Sequence, residues 1–217
     1  MLRVLVSDLD LYRAYRNDED FDLGVFLAQL RHQTARTGAM DRGVAFHTAL
    51  EHATLGESSI LTAEGHTFAF TCDAEIEAWP RREEKREKDY GGVIVSARCD
   101  RIMGKVIVDD KTTEKFDSEA MERYMDKYQF RYYLDMWEAD EFRWHIWEVR
   151  KLSQSDYKSM TNLENSTIAY EVYAHHLLKQ YRYPKMEEDC RDLALEFADF
   201  AATIGYKREE SHENRTS

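Results

Sequence analysis

The sequence predicts an α/β protein, with helices towards both ends of the chain and β-strands between them. Apolar residues recur at helical spacing before residue 53 and again after residue 117, whereas the middle alternates polar and apolar residues around glycine-containing turns. Of the 217 residues, 43% are hydrophobic and 12% aromatic, which is enough to bury a full core and excludes wholesale disorder. We expect a single domain over residues 1–206, followed by a disordered polar tail at 207–217.

Three helices and a hairpin are predicted in the first third of the chain. Ser7 is placed to cap a short helix, DLDLYRAY, and two further helices are predicted in FDLGVFLAQLRHQ and GAMDRGVAFHTALEHA. The next segment, SSILTAEGHTFAF, is typical of a hairpin that turns at Glu64-Gly65. Residues 80–88, PRREEKREK, are interpreted as a solvated loop or helix end, because charges of both signs follow a proline.

The clearest hairpin in the chain is GGVIVSARCDRIMGKVIVDDK, at residues 91–111. One long helix is predicted after it, over residues 117–139, and then a strand over residues 141–152. Two final helices, at about 163–181 and 186–203, are predicted before the tail.

Cysteine content and charge exclude several classes of protein. Cys72, Cys99 and Cys190 are odd in number and lack CxxC spacing, so neither a zinc site nor a disulfide framework is indicated, and we expect a reduced, cytosolic protein. No stretch approaches the roughly 18 apolar residues of a membrane span, and the first residues lack the pattern of a signal peptide. The net charge of −12 means that nucleic acid could bind only through a local basic groove or bridging metal ions.

The strand VIVDDKTT, residues 106–113, runs from apolar residues directly into two acids and a lysine. Side chains alternate between the two faces of a strand, so Asp109 and Lys111 share one face. If the hairpin turns in a two-residue loop made of Gly104 and either neighbour, Asp100 on the preceding strand joins that face. A three-residue loop centred on the same glycine would send Asp100 to the opposite face.

Two carboxylates that close repel each other and resist ionisation unless a cation lies between them. Hard oxygen ligands suit Mg²⁺ or Mn²⁺, and such ions commonly bridge to a phosphate substrate. A neighbouring lysine can orient or help to deprotonate an attacking water, or neutralise charge that develops on phosphorus. The alternative is a surface hairpin with salt-bridged charges, because charge clusters are usually solvated.

Four short motifs stand in order on the predicted elements. They are a glycine-x-x-x-histidine on a helix, an acid separated by eight residues from a D-x-K tripeptide, the tripeptide itself, and a glutamine and a tyrosine four residues apart on the next helix. The residues concerned are Gly43 and His47, Asp100, Asp109 and Lys111, and Gln129 and Tyr133. Together these motifs resemble the active site of the PD-(D/E)XK nuclease superfamily, and more narrowly its RecB-like branch, which includes phage lambda-type exonucleases. The resemblance covers about residues 7–137.

The resemblance implies a site for Mg²⁺ or Mn²⁺. Its ligands would be the carboxylates of Asp100 and Asp109 and the main-chain carbonyl of Asp110, while His47 would be a further ligand or help to hold a second ion. Two positions depart from the family pattern. Cys99 stands where proline usually precedes the first acid, and the second acid is aspartate rather than the longer glutamate. The iron–sulfur cluster of some RecB-like nucleases is excluded, because one chain with three cysteines cannot supply four cysteine ligands.

The resemblance also implies catalytic roles beyond the metal ligands. Lys111 would act on the attacking water. Gln129 and Tyr133, at positions i and i+4 on one helical face, would lie beside the site and steady the lysine or the DNA backbone.

At the level of the whole molecule, the resemblance implies a restriction-endonuclease-like core, in which a central mixed β-sheet holds the active-site hairpin and is flanked by helices. The implied activity is that of a metal-dependent DNA nuclease, an exonuclease of phage-type recombination or repair that acts on linear ends in the cytoplasm of a bacterium or phage-infected cell. A single-strand annealing protein and a homo-oligomeric ring are the implied partners, and no membrane is expected. The alternatives are a non-catalytic DNA-binding or scaffold protein and an endonuclease of the same superfamily.

Overall fold

The computed structural model describes residues 1–53, 59–73, 81–153, 155–156 and 168–206. Within these residues, eight strands form one mixed sheet, and helices pack on both of its faces. The predicted α/β class, with a central mixed sheet flanked by helices, is therefore confirmed. The predicted polar tail lies outside the described residues.

The strands are β1 (Leu2–Leu5), β2 (Ile60–Ala63), β3 (His66–Phe70), β4 (Arg81–Asp89), β5 (Val93–Met103), β6 (Val106–Thr113), β7 (Glu141–Lys151) and β8 (Ile168–Tyr181). They lie in the sheet in the order β1-β5-β6-β7-β8-β3-β2, and β4 pairs with β5 beside this path. Three of the pairings, β1 with β5, β6 with β7 and β3 with β8, are parallel, and the others are antiparallel.

The helices divide between the two faces of the sheet, and each face has its own apolar core. One core packs against Trp144 and includes Leu9, Phe26 and Phe197, whereas the other packs against Trp147. The helices are α1 (Val6–Asn17), α2 (Leu23–Leu30), α3 (Gly38–His52), α4 (Ser118–Asp126), α5 (Gln129–Met136) and α6 (Met186–Thr203). The first core receives α1, α2, α5 and α6, and the second receives α3. No described helix combines the length and the apolar character that crossing a membrane requires.

The charged segment predicted as a solvated loop is in fact strand β4. All nine of its residues are charged, but most of the side chains are long enough to reach polar partners that cover the sheet, so the charge does not prevent pairing. Arg86 donates to the main-chain carbonyl of Met136 at 3.0 Å, and Lys88 forms an ion pair with the buried carboxylate of Asp135 at 2.9 Å. The prediction failed because these partners are distant in the sequence.

Two helix predictions after the hairpin are also wrong. Residues 168–181, predicted as part of a helix, form strand β8, which pairs with β7 on one edge and β3 on the other. The remainder of that predicted helix lies outside the described residues. The single helix predicted over 117–139 is two helices, because Lys127 is extended (φ −61°, ψ 144°) and the Tyr128 amide donates to the Asp10 carboxylate at 2.7 Å instead of continuing the helix.

The start of the chain differs from its prediction in a smaller way. Leu2–Leu5 forms an unpredicted strand, parallel to β5, and α1 begins at Val6 with Leu5 rather than Ser7 at the N-cap. The Asp8 carboxylate accepts a hydrogen bond from the Leu5 amide at 3.0 Å, so an acid inside the first turn does the capping.

The hairpin of β5 and β6 has the geometry that matters most for function. Its two-residue turn is Gly104-Lys105, with Gly104 at φ +59°, so one of the two predicted turns is confirmed. The ladder joins Arg101–Met103 to Val106–Val108 and covers only three residue pairs before the strands separate. Strand β1 pairs with the other end of β5, at Val93–Ser96, so β5 and β6 diverge beyond their ladder and form the two arms of a fork in the sheet.

Candidate active site

Asp100 and Asp109 lie on the two arms of this fork, one residue beyond the last ladder pair. Asp100 Oδ2 accepts a hydrogen bond from the main-chain amide of Asp110 at 2.8 Å, which ties the first carboxylate to the second strand. Asp109 is 2% exposed. The turn at Gly104-Lys105 therefore brings together the two acids that the sequence predicted to share a face.

His47 reaches the first carboxylate from helix α3. Its Nδ1 lies 3.2 Å from Asp100 Oδ2. Burial lowers the pKa of His47, but the negative charge of Asp100 and its hydrogen bond outweigh burial and raise the pKa to about 9. Burial raises the pKa of Asp100 in turn, yet the His47 charge and hydrogen bond bring that pKa below its ordinary value. The two side chains form an imidazolium–carboxylate pair.

The second carboxylate is held from two sides. The Lys111 ammonium forms an ion pair with Asp109 Oδ2, and the Gln129 side-chain amide donates to Asp109 Oδ1 at 2.5 Å. Burial raises the pKa of Asp109 to about 6, although the lysine charge opposes this effect. Burial lowers the pKa of Lys111, but the charges of Asp109 and Asp100 exceed it and the net shift is upward. Lys111 therefore holds its proton in this arrangement.

Tyr133 lies one helical turn after Gln129 on α5, and its hydroxyl donates to the main-chain carbonyl of Arg98 at 2.7 Å. Arg98 belongs to the part of β5 between its pairings with β1 and with β6, so the tyrosine satisfies a carbonyl that lies in the fork. The predicted placement of Gln129 and Tyr133 beside the acids is what the structure has. The contact of Tyr133, however, is with the strand and not with the lysine.

The main chain and the side chain of Asp110 bind different partners. Its amide points to Asp100, but its side chain lies on the opposite face, where Arg101 and the Trp147 indole bind it. Only main-chain atoms of Asp110 can therefore contribute to the group formed by Asp100 and Asp109.

Among the described residues, Glu83 lies beside His47 and Asp100 without having been predicted there from the sequence. One ligand atom each from His47, Glu83 and Asp100 lies within 4.8 Å of the others. Glu83 adopts φ +51°, a left-handed conformation that is rare for residues other than glycine, in the middle of β4. No local signal separates it from Glu84 or Glu87, because its place depends on the register of β4 against β5.

The residues present fit a divalent cation. An imidazole nitrogen and two carboxylates are donors that Mn²⁺ and similar ions accept, and Mg²⁺ prefers the oxygens among them. Asp109 Oδ2 is buried, and among the described residues it has no hydrogen-bond partner apart from its ion pair with Lys111. A buried acceptor with spare capacity beside a three-residue donor group is what a cation site requires.

An open cleft of about 850 Å³ leads to these residues. Its walls also carry Arg36, Lys85 and Arg98, together with the exposed apolar side chains of Met40 and Val44. Cations along a cleft with acids at its base can accommodate an anionic chain that contacts a metal. The lining also includes Glu51, and Arg36 and Arg98 form ion pairs with Asp41 and Glu83, so the cleft is close to neutral although the chain has a net charge of −12.

Comparison with known proteins finds similarity at the level of solved structures. No protein-family model matches the sequence, and no curated protein does. A crystal structure of SSO0001 is 15% identical with a TM-score of 0.45, and the alignment covers 92% of this chain and 76% of that one. LHK-Exo in complex with dAMP is 12% identical with a TM-score of 0.44, covering 94% of this chain and 90% of that one.

A third structure is a phage-related exonuclease from Haemophilus somnus 129PT. It is 13% identical with a TM-score of 0.36, covering 58% of this chain and 63% of that one. Proteins described as exonucleases are thus among the similar structures, in line with the resemblance of the motifs. All three TM-scores lie below 0.5, so these similarities do not support a functional argument, and the geometry of the site must carry it.

Proposed function

We propose that this protein is a divalent-metal-dependent DNA nuclease that degrades linear DNA from an end. The observation that carries the proposal is the convergence of Asp100, Asp109, Lys111 and His47 at the fork of the sheet. Two carboxylates, an imidazole and a protonated lysine at the base of an open cleft are the groups that hydrolysis of a phosphodiester needs.

In this proposal His47, Glu83 and Asp100 hold Mg²⁺ or Mn²⁺, and Asp109 and the carbonyl of Asp110 complete the site on the side of the second strand. The cation would supply Lewis acidity to the phosphate and lower the pKa of a nearby water. His47 and Asp109 must both be deprotonated to bind it.

The remaining residues would orient the attacking water and the metal ligands and stabilise negative charge on the phosphate. Lys111 holds its proton beside Asp109. Its ammonium is therefore suited to orient the attacking water and to neutralise charge on the phosphate, and less suited to act as a base. Gln129 fixes the rotamer of Asp109, and Tyr133 fixes the arm of the fork that carries Asp100. Arg98 and Lys85, on the walls of the cleft, would contact the DNA backbone.

The test of the proposal compares linear with covalently closed DNA in Mg²⁺, in Mn²⁺ and in EDTA. We expect wild type to degrade only the linear DNA, to stop in EDTA and to recover with either ion, while Asp109→Asn, purified in parallel, degrades neither. Cutting of closed circles would identify an endonuclease instead. Binding without cutting would identify a DNA-binding scaffold.

The place of Glu83 in the metal site can be tested separately. Glu83→Gln should weaken Mn²⁺ binding by about tenfold or more, since one ligand loses its charge. The matched control is Glu87→Gln on the same strand, which removes an exposed ion pair with Arg3 and should leave Mn²⁺ binding unchanged. Titration of free Mn²⁺ by electron paramagnetic resonance measures both, and equal affinities would remove Glu83 from the site.

The partners implied by the motifs stay predictions. A ring of subunits would confine a basic channel within an acidic exterior. A light-scattering mass equal to one chain would contradict it. A single-strand annealing protein is the expected partner in recombination.

A further inference from the structure

A buried ion pair lies directly behind the proposed active site. The Arg101 guanidinium binds the Asp110 carboxylate with two hydrogen bonds, Nε to Oδ2 at 3.0 Å and Nη2 to Oδ1 at 2.8 Å. The Trp147 indole adds a third hydrogen bond to Oδ1, at 2.9 Å. Arg101 is 4% exposed and Asp110 is 1% exposed, so the pair is almost completely removed from water.

Each member of the pair is the chain neighbour of a site acid. Arg101 follows Asp100 on β5, and Asp110 follows Asp109 on β6. The last ladder pair between these strands is Arg101 with Val108, so the ion pair crosses from strand to strand where main-chain pairing ends. It therefore joins the two arms of the fork just where the arms begin to separate.

Stability does not explain a pair of this kind. Removing two charges from water costs about as much as their attraction returns, so well-packed apolar residues of similar volume are often as stable. What the pair does provide is geometry, because a two-pronged arginine–carboxylate contact fixes both distance and orientation.

The site needs such a constraint. Asp100 and Asp109 carry like charges whose repulsion is offset by His47 and Lys111, so charge alone does not fix the distance between the two arms of the fork. Beyond the three ladder pairs, the contact described between these arms on the side of the site is the hydrogen bond from the Asp110 amide to Asp100. Any rotation of the Asp110 peptide would break that hydrogen bond, and the Arg101–Asp110 pair holds the other side of the same residue.

Building on the proposed function, we propose that Arg101 and Asp110 form a clamp that sets the separation of Asp100 and Asp109 and thereby the affinity of the metal site. Both side chains act as positioning residues, from the face of β6 opposite Asp109 and Lys111. Trp147 holds the Asp110 carboxylate in the orientation that the arginine requires.

The test replaces the pair with apolar residues of similar size, Arg101→Met together with Asp110→Leu, so that no unpaired charge is left in the core. We expect this double variant to unfold at a urea midpoint close to that of wild type. Its affinity for Mn²⁺, measured by electron paramagnetic resonance without DNA, should fall by at least about tenfold. On linear DNA, kcat should fall by a larger factor than KM changes.

The matched control is Arg150→Met together with Glu171→Gln, which removes another cross-strand ion pair from the same sheet, between β7 and β8. We expect Mn²⁺ binding and kcat to stay as in wild type. If the first double variant does not fold, Arg101→Lys keeps the charge but loses the two-pronged contact, and we expect the same fall in Mn²⁺ affinity.

The outcomes separate the clamp from the proposed function. A folded clamp variant that binds Mn²⁺ as tightly as wild type overturns the clamp alone, because the metal site then forms without the Arg101–Asp110 pair. A wild-type protein that binds no Mn²⁺ and cuts no DNA overturns the proposed function, and the clamp with it.

Discussion

At the scale of single residues, substitution of Lys111 distinguishes a catalytic role from a purely structural one. Its ammonium is paired with Asp109 and lies 5.7 Å above the centre of the Trp144 ring, so its position is well defined. A positioned cation of this kind contributes chiefly in the transition state, where negative charge accumulates on the phosphate.

Lys111→Ala should therefore reduce turnover by about 10²–10⁴, with little change in DNA affinity. Mn²⁺ binding should survive or tighten, because the carboxylates remain and a nearby positive charge is gone. Single-turnover cleavage of pre-bound, end-labelled DNA measures the effect. Lys105→Ala, at the turn of the same hairpin, is the control and should cut like wild type. Cleavage by Lys111→Ala within a few-fold of wild type would contradict the catalytic role.

The pKa values of two other site residues predict how metal affinity depends on pH. Burial raises the pKa of Asp109 to about 6, and Asp100 brings the pKa of His47 to about 9 against the effect of burial. Both groups must lose a proton to become ligands, so affinity should rise from pH 5 to pH 8.5. Calorimetric titration with Mg²⁺ across this range measures the slope. In His47→Ala the rise above pH 7 should disappear, and a slope unchanged by this substitution would exclude His47 as a ligand.

At the scale of elements, the Arg82 side chain joins β4 to α3. Arg82 on β4 donates to the main-chain carbonyls of Leu50 at 2.9 Å and Ala53 at 3.1 Å, and also contacts that of Glu51. These carbonyls belong to the C-terminal end of α3, where the Leu50 carbonyl also accepts a hydrogen bond from the Ala53 amide and where the helix dipole favours a cation. Since α3 also carries His47, this contact orients the histidine against the sheet.

Arg82→Met should destabilise the protein by about 1–2 kcal/mol, because partly buried carbonyls lose charge-assisted hydrogen bonds while the aliphatic stem is retained. Urea unfolding measures the change. Arg3→Met is the control, because it removes only an exposed ion pair with Glu87 and should cost less than about 1 kcal/mol. If the two variants unfold at the same midpoint, Arg82 does not cap α3 in solution.

At the scale of the whole molecule, acid should weaken the fold through a histidine outside the active site. His145 on β7 is 6% exposed, and its Nδ1 lies 3.1 Å from Nε2 of His175. Burial lowers the pKa of His145 to about 3. The unfolded chain takes up this proton below about pH 6.5, whereas the folded chain does so only near pH 3, so stability is lost as the pH falls through this window.

Between pH 7.5 and pH 5, this linkage should cost wild type about 2 kcal/mol of unfolding free energy that His145→Asn does not lose. Urea titrations at the two pH values measure the difference. The control is His52→Asn, which replaces an exposed histidine at the end of α3 and should lose as much unfolding free energy as wild type. An identical loss in His145→Asn would mean that the buried histidine takes up its proton without unfolding.

The sequence by itself determined the hairpin, the position of its turn at Gly104 and the set of site residues that lie close along the chain, whereas the structure decided that the turn has two residues, Gly104 and Lys105. Strand alternation places Asp109 and Lys111 on one face, and a two-residue turn at Gly104 fixes Asp100 opposite them, because these are local consequences of backbone geometry. Helical spacing likewise places Gln129 and Tyr133 together. Those positions needed no knowledge of distant partners.

Only the tertiary structure decided what depends on pairing between distant segments. Glu83 joins His47 and Asp100 because β4 lies against β5, and the charged residues around it give no local sign of a strand. The strand β8 and the break at Lys127 have the same origin, since neighbouring strands and the Asp10 carboxylate override local helical preference. The fork also depends on tertiary structure, because β1 and β6 must each pair with one end of β5 before the two acids can face each other across a gap.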